Sequence, residues 1–323
     1  MTDPAFIVIA GPTAVGKTQT AIALAGRIPA EIVCADSRVL YRGMDIGTAK
    51  PSPADRAAVP HHLLDVADPD QVVTLAEYQR LAAAAFEEIR ARKRLPILVG
   101  GTGLYIRAMV DRVAIPSVPP DWDLRARLEE EERTGGPGTL HRRLGEVDPA
   151  AASRIHPRNI RRIIRALEVY TRTGMALSTL QHQVGPGGWA PPNEAPGGVL
   201  MVALTLDRVR LYERIDRRID DQLTRGLVDE VRALLDAGYA RTLPALRGLG
   251  YQEFLAYLDG AATLGEAVAR LGQSTRRYAR RQWTWFRADP RYRWLDIADD
   301  PPEAVAAQIH AIMIGGGRPS GRQ

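Results

Sequence analysis

Eight residues near the start of the chain carry the clearest chemistry. Gly11-Pro12-Thr13-Ala14-Val15-Gly16-Lys17-Thr18 has the spacing G-x-x-x-x-G-K-[ST] at every specified position. The glycines let the backbone turn its N–H groups inward around phosphate oxygens, and a helix beginning at the lysine favours negative charge. Lys17 adds a point charge, and the Thr18 hydroxyl is suited to ligating Mg²⁺. Gly11 to Thr18 therefore read as a phosphate or nucleotide cradle. The spacing leaves open which phosphate ester occupies it.

ATPases and kinases usually pair such a loop with an apolar strand ending in aspartate. Here the run Pro96-Ile97-Leu98-Val99 ends in Gly100-Gly101-Thr102-Gly103 without a carboxylate, whereas Ile32-Val33-Cys34-Ala35 ends in Asp36-Ser37. Two readings are open for Asp36: a capping or metal-associated carboxylate, or a general base at the mouth of the phosphate pocket. Thr102 is either an N-cap for the next helix or a hydroxyl presented at the C-terminal end of a strand, where open α/β sheets bind ligands. The two roles of Thr102 are compatible.

These residues need a scaffold, and the apolar pattern supplies one. Phe6 to Ala10 reads as a strand and Lys17 to Arg27 as a helix, the context that the glycine loop demands. Thr74-Leu75-Ala76-Glu77 is a capping box opening an alanine-rich helix to about Arg94. Strands alternating with helices predict a P-loop NTPase-like parallel α/β sheet. After Ile115 the prolines Pro116, Pro119 and Pro120 intervene, and no convincing strand recurs until Val199 to Leu204. The expected organisation is a core of residues 1–115 and 199–323 with an inserted helical lobe, 116–198. Helices across Val209 to Ala237 and a strand near Tyr292 to Ile297 complete the core. Gly185 to Gly198 reads as a loop or hinge, Gly315 to Gln323 as a disordered tail, and His61-His62 as a structural pair in a loop.

Composition narrows the class. The 323 residues are 45% hydrophobic and 25% charged, as in ordinary globular proteins, and no run approaches the roughly 18 apolar residues of a membrane span. No leader pattern precedes the first strand, so a cytoplasmic protein without membrane contact is expected; a monomer is the expected state. The single cysteine, Cys34, cannot form an intrachain disulfide or a CxxC zinc ribbon, which leaves a hard cation as the metal to expect. The net charge of +5 is concentrated: residues 154–172 hold six arginines against one acid, and 270–293 hold eight against one. Such clusters fit a polyanionic partner.

The ordered set Gly11 to Thr18, Asp36-Ser37, Tyr41 to Pro51 and Val99 to Tyr105 resembles the tRNA dimethylallyltransferases. So do His61 to Asp65, Asp148-Pro149, Arg154 to Pro157, Arg165 to Val169, Gly248 to Tyr251 and Arg276 to Trp285, so the resemblance covers nearly the whole chain. It implies transfer of a dimethylallyl group from dimethylallyl diphosphate to N6 of adenosine 37 in the tRNA anticodon stem-loop, with Mg²⁺ as cofactor. Asp36 would accept the amine proton and Thr102 would hydrogen-bond near that amine. Lys17 and an arginine of the helix Tyr212 to Arg217, taken as Arg217, would clamp the diphosphate; a solvated helix face is the other reading of that arginine.

The target base must be flipped out of its stack to be reached. The stretches that the resemblance assigns to tRNA comprise Asp36, Ser37, Arg38, Val39 and Thr102, Arg125, Arg161, Arg162 and Arg165, Arg247 and Gln252, and Arg276, Arg277, Arg280 and Arg281. Trp283 and Trp285, at helical spacing, fit the core better than base stacking. Two other functions share the loop: a small-molecule kinase using ATP, and an RNA-binding protein with an ATP-dependent switch. The arginine clusters count against the first, and the second leaves the Asp36 and Thr102 pairing without a role.

Overall fold

The computed structural model describes residues 4–112, 115–182, 198–298 and 300–315. β1 (Phe6–Ala10) is buried at every position and runs into the glycine loop, after which α1 (Lys17–Ala25) begins at the loop lysine. β2 (Ala30–Cys34), equally buried, delivers the chain to Asp36. α2 (Pro53–Ala58) opens with a capping box between Ser52 and Asp55, and β3 (His61–His62) follows. The histidine pair is thus an edge strand rather than a loop; two residues are too few for strand alternation to show. α3 (Leu75–Ala91) has its Glu77 N–H capped by the Thr74 hydroxyl at 3.2 Å. It stops short of Arg94 because Lys93 turns to φ 57°, the left-handed region. β4 (Leu95–Gly100) and α4 (Gly103–Val110) then carry the Gly100-Gly101-Thr102 turn between them.

Five helices come next: α5 (Trp122–Gly135), α6 (Thr139–Val147), α7 (Pro149–Arg154), α8 (Ile160–Thr173) and α9 (Leu177–His182). β5 (Val199–Thr205) returns the chain to the sheet. α10 (Arg208–Thr224) and α11 (Leu227–Asp236) are separated by Gly226 at φ 91°, and α12 (Gln252–Leu258) follows. α13 (Leu264–Arg287) is the longest helix described, opened by a Thr263–Glu266 capping box; β6 (Arg293–Asp296) and α14 (Pro302–Gly315) close the order. The expected hinge and tail fall largely outside the described residues.

The six strands pair in parallel in the order β3-β2-β4-β1-β5-β6. This is the mixed α/β, P-loop-like architecture that the alternation of elements predicts. Sequence order and spatial order differ, so β1 has β4 beside it and β2 lies beyond β4. Ile9, Val99 and Cys34 share one register row, and the turns leaving the three strands are therefore neighbours at one end of the sheet. Open α/β sheets bind ligands at that C-terminal end.

The described residues fall into two compact units, one comprising residues up to 73, 78–110 and 198 onward, the other 74–77 and 111–182. The first is built on the sheet and a core that includes Ile7, Ile9, Ile32, Val99, Val202, Ile215, Phe254 and Ala279. The second has its own core, in which Leu124, Leu128, Leu140, Leu144, Ile163 and Leu167 meet from α5, α6 and α8. Among the described residues no helix is long and apolar enough to cross a membrane.

Candidate functional site

The glycines at either end of the octet are required by geometry. Gly11 has φ 141°, and a Cβ there would lie 2.6 Å from the Leu204 carbonyl oxygen; Gly16 has φ 98° at the N-cap of α1. Lys17 Nζ donates to the Pro12 carbonyl at 2.8 Å. Burial pushes its ammonium down to about 8, a shift that Asp36 opposes and Arg218 assists. The Thr13 N–H donates to Gln282 Oε1 at 2.8 Å, and Gln282 Nε2 donates to the Gly101 carbonyl at 2.9 Å. One buried side chain of α13 therefore ties the phosphate loop to the turn after β4.

That turn is in turn fixed to the end of β2. A Cβ on Gly100 would lie 2.0 Å from the Ala35 carbonyl oxygen, so only glycine allows the two strand ends to approach this closely. The Thr102 N–H donates to the same carbonyl at 3.1 Å, and the Ser37 N–H donates to Thr102 Oγ1 at 3.1 Å. The hydroxyl thus engages the Asp36 loop. Asp36 Oδ1 accepts the Arg38 N–H at 2.8 Å, which orients the carboxylate. The Tyr278 phenol also hydrogen-bonds Thr102; burial and then the Asp36 charge raise its pKa, so it stays protonated.

Lys17, Thr18, Asp36, Thr13, Arg218 and Tyr278 line one cavity of about 90 Å³. Its remaining lining is partly apolar, with Ile32, Cys34, Val39 and Val99 among it. Burial, with Asp36 next, pushes the Cys34 thiol up to about 12, which keeps it neutral. His61 also borders the cavity. Its Nδ1 bonds the Val59 carbonyl at 2.7 Å, and burial lowers its pKa, so it too contributes an uncharged surface. Thr18 and Asp36 place a hydroxyl and a carboxylate on the same cavity, the hard oxygen donors that Mg²⁺ takes when substrate phosphates complete its shell. Among the described residues no three His, Cys, Asp or Glu side chains converge on a metal position.

The arginine that α10 brings to this cavity is Arg218, not Arg217. Leu211, Ile215, Ile219 and Gln222 form the buried stripe of the helix, which leaves Arg217 exposed on the other side. Arg218 donates to Thr13 Oγ1 at 3.2 Å and to the Thr48 carbonyl at 3.4 Å. Four residues earlier, Arg214 reaches the neighbourhood of Gly16. Residue spacing alone could have shown that 218, four before buried Gln222, shares its stripe.

The residues assigned to tRNA divide by what they touch. Arg125 makes two bonds to Glu168, at 2.7 and 2.8 Å, and Arg165 makes a third at 2.6 Å; Glu168 is fully buried. These two arginines hold the core of the helical unit together. Arg38 donates to the carbonyls of Pro244 and Ala245, and Val39 is buried in the cavity wall. Arg276 pairs with Asp216 at 2.5 Å and lies over the Tyr212 ring. Arg161, Arg162, Arg247, Gln252, Arg277, Arg280 and Arg281 are exposed.

The Tyr41 to Pro51 segment forms part of the wall rather than reacting. Glu230 accepts the N–H groups of Asp45, Ile46 and Gly47, and Lys50 is buried between Asp45, Asp65 and the Tyr41 carbonyl. Gln222 holds the Ile46 carbonyl at 2.6 Å. Thr48, Ala49 and Pro51 are thereby presented to the cavity. Arg218, Gln282 and Tyr278 are the site residues that sequence reasoning did not single out.

Residues 39–289 match the family described as IPP transferase. The chain is 53% identical over 309 residues to a tRNA dimethylallyltransferase of Roseiflexus sp. (strain RS-1), covering 96% of this chain and 97% of that protein. It is 49% identical to the tRNA dimethylallyltransferase of Symbiobacterium thermophilum, covering 93% and 91%. Among solved structures, the tRNA isopentenylpyrophosphate transferase of Bacillus halodurans is similar with a TM-score of 0.69 and 41% identity, covering 96% and 95% of the two chains. A eukaryotic dimethylallyltransferase acting on tRNA superposes with a TM-score of 0.77 at 28% identity, covering 96% and 78%.

Proposed function

This chain belongs to the IPP transferase family, and on that premise we propose that it transfers the dimethylallyl group of dimethylallyl diphosphate to N6 of adenosine 37 in the tRNA anticodon loop, releasing diphosphate. The observation that carries the reading is the mixed lining of the 90 Å³ cavity. Cationic and hydroxyl groups of the glycine loop and α10 share it with Ile32, Cys34, Val39 and Val99, and Asp36 and Thr102 stand at the strand ends beside it.

The chemistry follows from those groups. The allylic C–O bond breaks as the N–C bond forms, so negative charge grows on the diphosphate and positive charge on the allyl group. Loop N–H groups, Lys17 and Arg218 stabilise the first. The neutral Cys34 and the aliphatic side chains beside it exclude water, which would otherwise capture the second. N6 sheds one proton as it bonds to carbon, and the Asp36 carboxylate accepts it. The Thr102 hydroxyl, held by the Ser37 N–H, orients the amine. Mg²⁺ held near Thr18 would neutralise diphosphate oxygens, leaving the Asp36 carboxylate free as the base. Exposed arginines of α8 and α13 supply RNA phosphate contacts.

The test is to incubate the protein with Mg²⁺, dimethylallyl diphosphate and unmodified tRNA carrying adenosine at position 37, then digest and weigh the nucleosides. A prenylated adenosine is expected. ATP turnover without a prenyl adduct would assign the cavity to a kinase or switch instead.

A further inference from the structure

Trp283 and Trp285 sit two residues apart on α13 and are held differently. Trp283 is half-buried, and its Nε1 donates to Thr205 Oγ1 at 3.1 Å. Trp285 is 39% exposed and makes no hydrogen bond among the described residues. Core packing accounts for the first and not for the second. The Trp285 indole lies directly on Gly103, where a Cβ would come within 2.1 Å of the ring. Gly103 follows Thr102, and the next residue, Leu104, is 49% exposed.

Tyr278, Gln282 and Trp285 lie at i, i+4 and i+7, one stripe of the helix. Tyr278 lines the cavity, Gln282 bonds Thr13 and Gly101, and Trp285 covers Gly103. The stripe leads outward from the cavity along the turn after β4, and Trp285 is its outermost aromatic. Exposed Arg281 borders it, with its guanidinium over the Tyr278 ring at 5.8 Å.

We propose that Trp285 is a stacking platform for a nucleobase next to the one that enters the cavity. The proposal rests on the RNA reading above. A base drawn out of a stacked loop leaves its neighbours without a face to lie on, and a rigid indole supplies one at little conformational cost. Stacking needs no particular base, which suits an exposed ring without a directed hydrogen bond.

Binding of a synthetic anticodon stem-loop RNA to the full-length protein tests this, with steady-state kinetics alongside. Trp285→Ala should weaken RNA binding by about 5- to 100-fold, the range measured for lost base–aromatic stacks, and leave the KM for the allylic diphosphate unchanged. Trp285→Phe should restore most of the affinity. Trp285→Leu keeps an apolar cover on Gly103 but no ring, and should bind RNA as weakly as the alanine variant. A leucine variant that binds RNA like the wild type would overturn the stacking role while leaving the RNA reading intact. A wild-type protein that binds no RNA would overturn both.

Discussion

The Ser37 N–H donates to Thr102 Oγ1 at 3.1 Å, so the residue after Asp36 and the hydroxyl at the end of β4 are a single unit. The carboxylate and the hydroxyl are then positioned relative to each other by backbone, before any substrate arrives.

Asp36→Asn tests the proton-acceptor role while retaining an oxygen for the Arg38 N–H. Single-turnover transfer should slow by about 10²–10⁴-fold, the usual contribution of a general base, with RNA affinity unchanged. Loss of RNA binding along with activity would make Asp36 a recognition residue.

Lys17 sets a pH dependence. Its ammonium is pushed down to about 8, and the charged form, which assists diphosphate, is the one present below that value. kcat/KM for the allylic diphosphate should therefore be level below about pH 7, halve near pH 8 and fall about tenfold per unit above about pH 9, because this ratio reports the free enzyme. Lys17→Arg should abolish the break at a lower overall rate. A level profile in the wild type to pH 10 would remove Lys17 from the diphosphate site.

Arg217 and Arg218 are adjacent in sequence and should behave differently. Arg218→Ala should lower kcat/KM for the diphosphate by about 10²–10³-fold, the cost of one lost donor to a developing anion. Arg217→Ala should leave it unchanged. Equal effects would mean that the whole charged face, not one guanidinium, serves the substrate.

Arg125→Ala should cost about 3 kcal/mol of stability in chemical denaturation, because it strands part of the charge of buried Glu168. The salt slope of RNA binding should not change. Arg161→Ala should do the reverse, with an intact denaturation midpoint and a slope smaller by about one.

Gly100→Ala should abolish soluble folded protein or cost at least about 4 kcal/mol, since the added carbon meets backbone rather than a movable side chain. A stable, active alanine variant would show that β2 and β4 can part without losing the site.

Five of the six strands and the phosphate loop were legible in the sequence because each rests on local signals: buried apolar runs, glycines and the helix-opening lysine; the two-residue β3 at His61–His62 carries no such signal. Asp36 and Thr102 were legible as ends of such runs. What was not legible is pairing across the chain. Nothing local distinguishes Arg125, spoken for by Glu168, from Arg161, which is exposed. The one-residue choice between Arg217 and Arg218, by contrast, could be read from the apolar spacing of Leu211, Ile215 and Ile219, to which 218 and not 217 is aligned. Gln282 and Tyr278 sit in a helix whose arginines dominate its composition, and only the fold brings them to residues near the start of the chain.

The bond from Thr13 to Gln282 joins residues 269 positions apart. At translation speeds of roughly 5–20 residues per second, the phosphate loop exists for about 15–50 s before its clasp has even been synthesised. The loop's own glycines and lysine are therefore in place long before the side chain that ties it to the turn after β4. Because Leu271 and Ala279 of the same helix also enter the core, the site and the packing of the sheet unit are completed by one late element.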